Sequence, residues 1–412
     1  MTTARPEAAD APMLRNSMIT QVKDSGYTLS PRVEHALRTV ERHMFASDVS
    51  LEEAYASDIV VTKRDADGQV LSCLSQPSIV ALQLEQLGVQ PGDRVLEIGA
   101  GSGYNAALLG RLAGPAGHVT AVDVDTDIVE QARDRLTEAG VRNVEIVLGD
   151  GALGYPPEAP FDRIIATVGV YGLPEPLLAQ LAPGGRLVVP MRIRGSVSRS
   201  IALERGPDGA LYSVDHQMCG FVPLRNGAAD DPRRTAALTT DEAVTVRLNQ
   251  EHSTDPAGLL GVLSRPRYEA WTGVLFGPGT SLEWMYLWLA CTLDTGVCSM
   301  SVDQKATEAG LVTPMFRSST MAVPGEEELA YLTWRVTDRT DDGKTVEIGV
   351  VGHGDKGAGL CNRVAAEIVF WDRQYRHRSA HFGIASIGAN DRTTGTFFLE
   401  RPHHHGLAVT WR

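Results

Sequence analysis

The chain has 412 residues, 43% of them hydrophobic and 22% charged, with a formal net charge of −13. That length exceeds one average domain, so two are expected. The acidic balance argues against a nucleic-acid partner held through its phosphates. No apolar run approaches the roughly 20 residues that a membrane span needs, and the first 13 residues lack the apolar core of a secretory signal, so a cytoplasmic protein is expected.

In chain order, residues 1–13 read as a loose tail and 14–45 as helical, with Val33, Leu37, Val40 and Met44 at helical spacing. Pro77 to Leu87 is a second amphipathic stretch. Strand and helix then alternate. Arg94 to Ile98, His118 to Val124, Val144 to Leu148, Arg163 to Val168 and Arg186 to Pro190 are strand-like. Asn105 to Ala113 and Asp127 to Ala139 are helix-like, the latter stopped by Gly140. Leu178 to Ala182 is expected to close a helix before Pro183-Gly184-Gly185. Such alternation implies a parallel sheet covered on both faces. Ser200 to Glu204 and Ala210 to Val214 flank a Gly-Pro-Asp-Gly hairpin turn.

Polar residues 225–236 are the expected linker, which places one domain over 1–236 and another over 237–412. The second mixes strand-like runs (Tyr331 to Val336, Val346 to Val351, Phe397 to Glu400, Leu407 to Trp411) with helix-like ones (Leu282 to Leu293, Leu360 to Tyr375). Trp284, Trp288 and Leu289 suit a core helix, and Asp341-Asp342 a solvated turn. Cys73, Cys219, Cys291, Cys298 and Cys361 are too scattered for a disulfide framework. His403-His404-His405 has no metal-ligand spacing around it, and adjacent residues on a strand alternate faces, so no metal site is expected.

The chemistry concentrates in Glu97-Ile98-Gly99-Ala100-Gly101-Ser102-Gly103, which follows a strand and opens a helix. Glycines there let the backbone turn sharply and let a ligand approach it. A dinucleotide fingerprint would place its third glycine at Tyr104; the third glycine here is Gly103, and a glutamate precedes the first by two. This is the form that binds S-adenosylmethionine. The next strand ends in Val122-Asp123, where a carboxylate can accept from both ribose hydroxyls; Asp125 is an alternative. The third ends in Gly149-Asp150-Gly151, where Asp150 can accept from the adenine amino group and the glycines leave room for the ring. The expected cofactor set is Glu97, Gly99, Ala100, Gly101, Gly103, Asp123, Val124, Asp150 and Gly151. Tyr104 and Tyr171 are candidates for the acceptor pocket.

These motifs, with Val40-Glu41-Arg42-His43-Met44-Phe45, Ala54-Tyr55, Leu74-Ser75-Gln76-Pro77, Phe161-Asp162-Arg163-Ile164-Ile165 and Leu181-Ala182-Pro183-Gly184-Gly185-Arg186-Leu187, resemble the protein-L-isoaspartate O-methyltransferase family from about residue 14 to 225. The resemblance implies a class I methyltransferase fold: a Rossmann-like, doubly wound α/β sheet, here with an additional C-terminal α+β domain. It implies a carboxyl O-methyltransferase in which Ser75 lies beside the methyl donor and the acceptor carboxylate. Cys73-Leu74-Ser75 stands where the family usually has Thr-Ile-Ser, and Val168-Gly169-Val170-Tyr171 where it has an Ala-rich turn. With the long C-terminal extension, Gly352-His353-Gly354 and Val409-Thr410-Trp411-Arg412 look like the branch found with ribosomally made peptides. That branch methylates an ordinary aspartate of a lanthipeptide or graspetide precursor, and the ester closes to a succinimide. The expected partner is therefore a precursor peptide, bound in part by residues 237–412 over the acceptor cleft. Repair of isoaspartate in damaged proteins and a non-catalytic, cofactor-binding peptide partner are the alternatives.

Overall fold

The computed structural model describes residues 10–225, 231–341, 343–386, 388–402 and 404–412. The chain divides into two compact units: Met1–Met191, Arg199–Asp230 and Arg401–His405 form the first, and Arg192–Ser198, Asp231–Glu400 and Gly406–Arg412 the second. The division is not a single cut at residue 236. The polar run read as a linker ends in a strand, Arg234–Ala237, that belongs to the second unit.

The first unit opens with helices α1 (Ala11–Asp24) and α2 (Pro31–Thr39), a 3-10 turn at Arg42–Phe45, and the short helix α3 (Leu51–Ala54). The helical stretch expected over 14–45 is thus broken. Gly26, in the left-handed region at φ +89°, ends α1, and Ser30 caps α2 by accepting from the Val33 amide at 3.3 Å, with Pro31 at the first helical position. The start of α1 at Ala11 also overlaps the expected tail. Strands β1 (Val60–Arg64) and β2 (Val70–Leu74) form an antiparallel hairpin. Helix α4 (Pro77–Leu87) follows.

The expected alternation then appears: β3 (Arg94–Ile98), α5 (Tyr104–Ala113), β4 (His118–Asp123), α6 (Thr126–Glu138), β5 (Val144–Leu148), β6 (Phe161–Ala166), α7 (Glu175–Leu178), β7 (Leu181–Arg194), β8 (Val197–Arg205) and β9 (Leu211–Met218). Their sheet order is β9-β8-β7-β6-β3-β4-β5, and β7, β6, β3, β4 and β5 run parallel. The strand order reverses between β3 and β6, so a crevice opens at the carboxyl ends of those strands. β3 and β6 are apolar because both of their faces are covered; Val95, Leu96, Ile98, Ile164 and Ile165 are buried. Around residue 182 the expectation fails. α7 is a single turn, and β7 already begins at Leu181. Pro183-Gly184-Gly185 is a bulge within that strand, lying between the Phe161↔Leu181 and Arg163↔Arg186 pairs.

In the second unit, β10 (Arg234–Ala237), β11 (Val244–Leu248), β12 (Arg267–Phe276), β13 (Cys298–Val302), β14 (Ser319–Pro324), β15 (Leu329–Thr340) and β16 (Gly343–His353) form a seven-stranded antiparallel sheet ordered β10-β11-β13-β14-β15-β16-β12. Helices Glu283–Thr292 and Gly357–Gln374 pack together, the latter on β12 and β16. Trp288 is fully buried, stacks on Tyr375 with 4.5 Å between centroids, and meets Trp411 edge-on, so the tryptophan helix is core. Asp341 is exposed in the β15–β16 turn; Asp342 lies outside the described residues. No helix among the described residues is long and apolar enough to cross a membrane.

Candidate functional site

The glycine loop leaves β3 at the crevice. Gly99 has φ +94°, and a Cβ there would come within 2.8 Å of Val168 Cγ1 and 2.9 Å of Thr167 Oγ1. Glycine is needed both for the turn and for the approach of the loop after β6. The Gly99 and Ala100 amides donate to the Val122 carbonyl at 2.8 and 3.2 Å, which ties the loop to β4. The Thr167 hydroxyl donates to the Gly99 carbonyl at 2.6 Å. A cavity within the first unit is lined by Glu97, Gly99, Ala100, Gly101, Asp123, Val124 and Gly151 of the expected set, by Ser75 and Tyr104, and by Val222 to Arg225.

Two carboxylates share this wall. Glu97 is fully buried. Its Oε1 accepts from Asn105 Nδ2 at 2.8 Å, while Oε2 is buried with no hydrogen-bond partner among the described residues. Burial pushes its carboxyl up to about 8, the neighbouring Asp123 charge adds to the rise, and Asn105 opposes it. Asp123 is also raised by burial, against amide donors that include Gly101 at 2.9 Å. An orphaned carboxylate oxygen beside a second desolvated carboxylate fits a cationic ligand with hydroxyl donors. The residues present therefore suit S-adenosylmethionine, which carries a sulfonium, an ammonium and a ribose.

Asp125, the alternative ribose ligand, does not line the cavity. Its Oδ2 accepts from Arg225 Nη2 at 2.7 Å and from Lys63 Nζ at 2.9 Å, and these partners, Arg225 first, hold its carboxyl below the usual range. Two further expected residues stand off the wall. Gly103 faces α6, where a Cβ would meet the Ala132 carbonyl at 3.4 Å. Asp150 caps a 3-10 turn, its Oδ1 accepting from the Ala152 amide at 2.9 Å. Gly151 does line the cavity and is packed so closely that a Cβ would lie 2.4 Å from Ile98 Cγ2.

Ser75 follows β2 at the crevice. Among the described residues its hydroxyl makes no hydrogen bond, while its carbonyl accepts from Arg42 Nη2 at 3.0 Å. Tyr104 is on the wall; Tyr171 is not, and lies under the Arg401 guanidinium. His405 Nε2 pairs with Glu175 at 2.7 Å, and His403 lies outside the described residues. Sequence reasoning missed Asn105, Thr167 and the 222–225 segment. Asn105 had a usable signal: it lies in the first turn of α5, two residues past Gly103, where a side chain can turn back toward β3.

The buried Glu97 makes a pH prediction. Its folded value lies above its unfolded one, so the stability it contributes is complete below about pH 4.5 and is lost as pH rises through about 8. Glu97→Gln removes that loss. Without cofactor, the variant should unfold at nearly the wild-type temperature at pH 5 and at a clearly higher one at pH 9, on the order of a few kcal/mol in stability. Thermal unfolding at both pH values checks this; a gap that does not change with pH would mean that Glu97 is ionised throughout.

The family model for protein-L-isoaspartate(D-aspartate) O-methyltransferase matches residues 13–229. The protein-L-isoaspartate O-methyltransferase of Methanopyrus kandleri is 39% identical over 211 residues, 51% of this chain and 90% of that protein. A solved protein-L-isoaspartate O-methyltransferase aligns over 92% of this chain and 97% of its own at 22% identity, with a TM-score of 0.48. A structure from Plasmodium falciparum described as such an enzyme in complex with S-adenosyl-L-homocysteine aligns over 52% of this chain and 99% of its own at 20% identity, with a TM-score of 0.45. The glycine loop, the paired carboxylates and the matched length agree: the chain belongs to the protein-L-isoaspartate O-methyltransferase family, enzymes that transfer a methyl group from S-adenosylmethionine to a protein carboxylate.

Proposed function

We propose that this enzyme methylates an aspartate side chain of one ribosomally made precursor peptide. The observation that carries this reading is the length of chain beyond the family match. Residues 230–412 lie outside it, and most of them build a second unit with its own sheet and core. An enzyme that must accept any damaged chain gains nothing from extensive contacts. One that must choose a single aspartate needs binding surface away from the reacting atoms.

The donor supplies an electrophilic methyl carbon on a sulfonium. Asp123 would accept from the ribose hydroxyls, and Glu97 would offer the oxygen that has no partner among the described residues to the cationic end. Asp150 stands off the cavity wall with Oδ1 engaged by its own turn, so only its Oδ2 would be open to the adenine amino group. Gly99, Ala100, Gly101, Val124 and Gly151 form the surrounding wall, while Gly103 starts α5. A carboxylate is nucleophilic at neutral pH, so the chain has only to orient it and exclude water. Ser75 would donate to one acceptor oxygen and leave the other free to attack the methyl carbon, the new O–C bond forming as the methyl–sulfur bond breaks and neutral S-adenosylhomocysteine leaves. In the resulting ester, the backbone nitrogen of the next residue attacks the carbonyl carbon, the new C–N bond closes a succinimide, and methanol leaves. That step needs no further residue of the enzyme.

Isoaspartyl repair is the second reading, favoured by the activity named for the Methanopyrus relative. The experiment that separates the two is a competition between synthetic peptides of one sequence, one carrying aspartate and one isoaspartate at the same position. The proposal expects the aspartyl form to be methylated faster; exclusive use of the isoaspartyl form overturns it. Hydrogen exchange on the full chain should also show protection within Asp231–Glu400 when the peptide binds.

A further inference from the structure

Arg42 is fully buried. Its Nε donates to the Ala54 carbonyl at 2.7 Å and its Nη2 to the Ser75 carbonyl at 3.0 Å, while Nη1, on the Tyr104 side, meets no hydrogen-bond geometry among the described residues, the Tyr104 contact being one of charge and ring rather than a formed bond. Among the described residues no carboxylate pairs with it. Arg192 in the second unit, equally enclosed, shows the ordinary solution, with Asp231 and Glu251 both paired to its guanidinium. A buried cation without a counter-charge is costly and persists where something offsets it.

The groups around Arg42 point toward that counter-charge. Its guanidinium lies over the Tyr104 ring, 5.1 Å from the centroid, and Tyr104 lines the cofactor cavity. Burial pushes the Tyr104 phenol and the Cys73 thiol up, and in both the Arg42 charge pulls the other way. Cys73 lines the same cavity, as does Ser75. The Arg42 charge therefore acts on Tyr104 and Cys73, both on the Ser75 side of the wall, and among the described residues no carboxylate pairs with it.

We propose that Arg42 is a positioning residue: its unpaired charge, set behind Ser75, Tyr104 and Cys73, makes the acceptor pocket select an ionised carboxylate, and that acceptor is the missing counter-charge. The inference rests on the carboxylate chemistry above but not on which carboxylate is used. It predicts that discrimination between a carboxylate and its amide depends on the Arg42 charge, whereas cofactor binding does not.

The test uses the full chain with Arg42→Gln and Arg42→Lys. Inhibition constants are measured for peptides bearing aspartate or asparagine at the acceptor position, and in parallel for isoaspartate and its amide. Calorimetry gives the S-adenosylmethionine affinity. Arg42→Gln should leave cofactor affinity near wild type and reduce the carboxylate-over-amide preference about tenfold or more. Arg42→Lys keeps the charge and should keep most of that preference, even where turnover falls because the Ser75 carbonyl is less firmly held. A folded Arg42→Gln enzyme with the wild-type preference would make Arg42 a structural tie and overturn the proposal. So would an Arg42→Lys enzyme that binds cofactor but has lost the preference, and this second outcome is decisive even if Arg42→Gln does not fold. Preference confined to the isoaspartyl series would defeat the aspartyl reading while leaving Arg42 to be judged on that series.

Discussion

Asp123→Ala is expected to weaken S-adenosylmethionine binding roughly tenfold to a hundredfold, the cost of about 1.5–3 kcal/mol for a charge-assisted hydrogen-bond pair. Asp123 lies on the cavity wall with Oδ2 at 2.9 Å from the Gly101 amide, so its removal frees that amide as well as the ribose. Asp123→Asn keeps an oxygen for Gly101 and loses the charge, and should fall between the two. Asp125→Ala is the control. Asp125 is engaged by Lys63 and Arg225, so its loss should loosen the 222–225 wall without removing a direct cofactor contact. Calorimetric titration decides. Unchanged affinity in Asp123→Ala, or a larger loss in Asp125→Ala, would move the ribose ligand to Asp125.

Ser75→Ala is expected to lower turnover about tenfold to a hundredfold while cofactor affinity stays near wild type, since a misaligned nucleophile slows the chemical step without touching the donor. The Ser75 hydroxyl is uncommitted among the described residues, and its backbone is anchored by Arg42. A residue that only shaped the cavity would shift cofactor affinity together with rate. Single-turnover methylation beside calorimetry separates these outcomes; a wild-type rate in Ser75→Ala would leave it a structural hydroxyl.

The cofactor loop was readable because its chemistry is local. Glu97 and the glycines that follow it lie close together between a strand and a helix, and Asp123 ends the next strand. The alternation of β3 to β6 with helices was readable for the same reason, since each buried strand is a short apolar run closed by glycine or polar residues. Distance in sequence hid the rest. Arg225 meets Asp125 across 100 residues, and no local pattern announces that pair. Strand position alone favours Asp123 over Asp125 as the ribose ligand, and it could not show that Asp125 is already paired with Lys63 and Arg225. Asp150 shows the reverse, a strand-end carboxylate with one oxygen spent on its own turn. In the second unit the long strands β15 and β16 were legible. β10, β11, β13 and β14 were not, because four to six residues of mixed burial in an antiparallel sheet carry little periodic signal.

The most direct test is the intact mass of any short peptide found to be encoded next to the gene for this chain, incubated with the full chain and S-adenosylmethionine. The expected result is the gain of one methyl group at a single aspartate, followed by loss of methanol as the succinimide closes, with methylation strongly slowed in Ser75→Ala and methanol loss from the ester, once formed, unchanged. A precursor whose mass never changes, while isoaspartyl peptides of unrelated sequence are methylated readily, would contradict it.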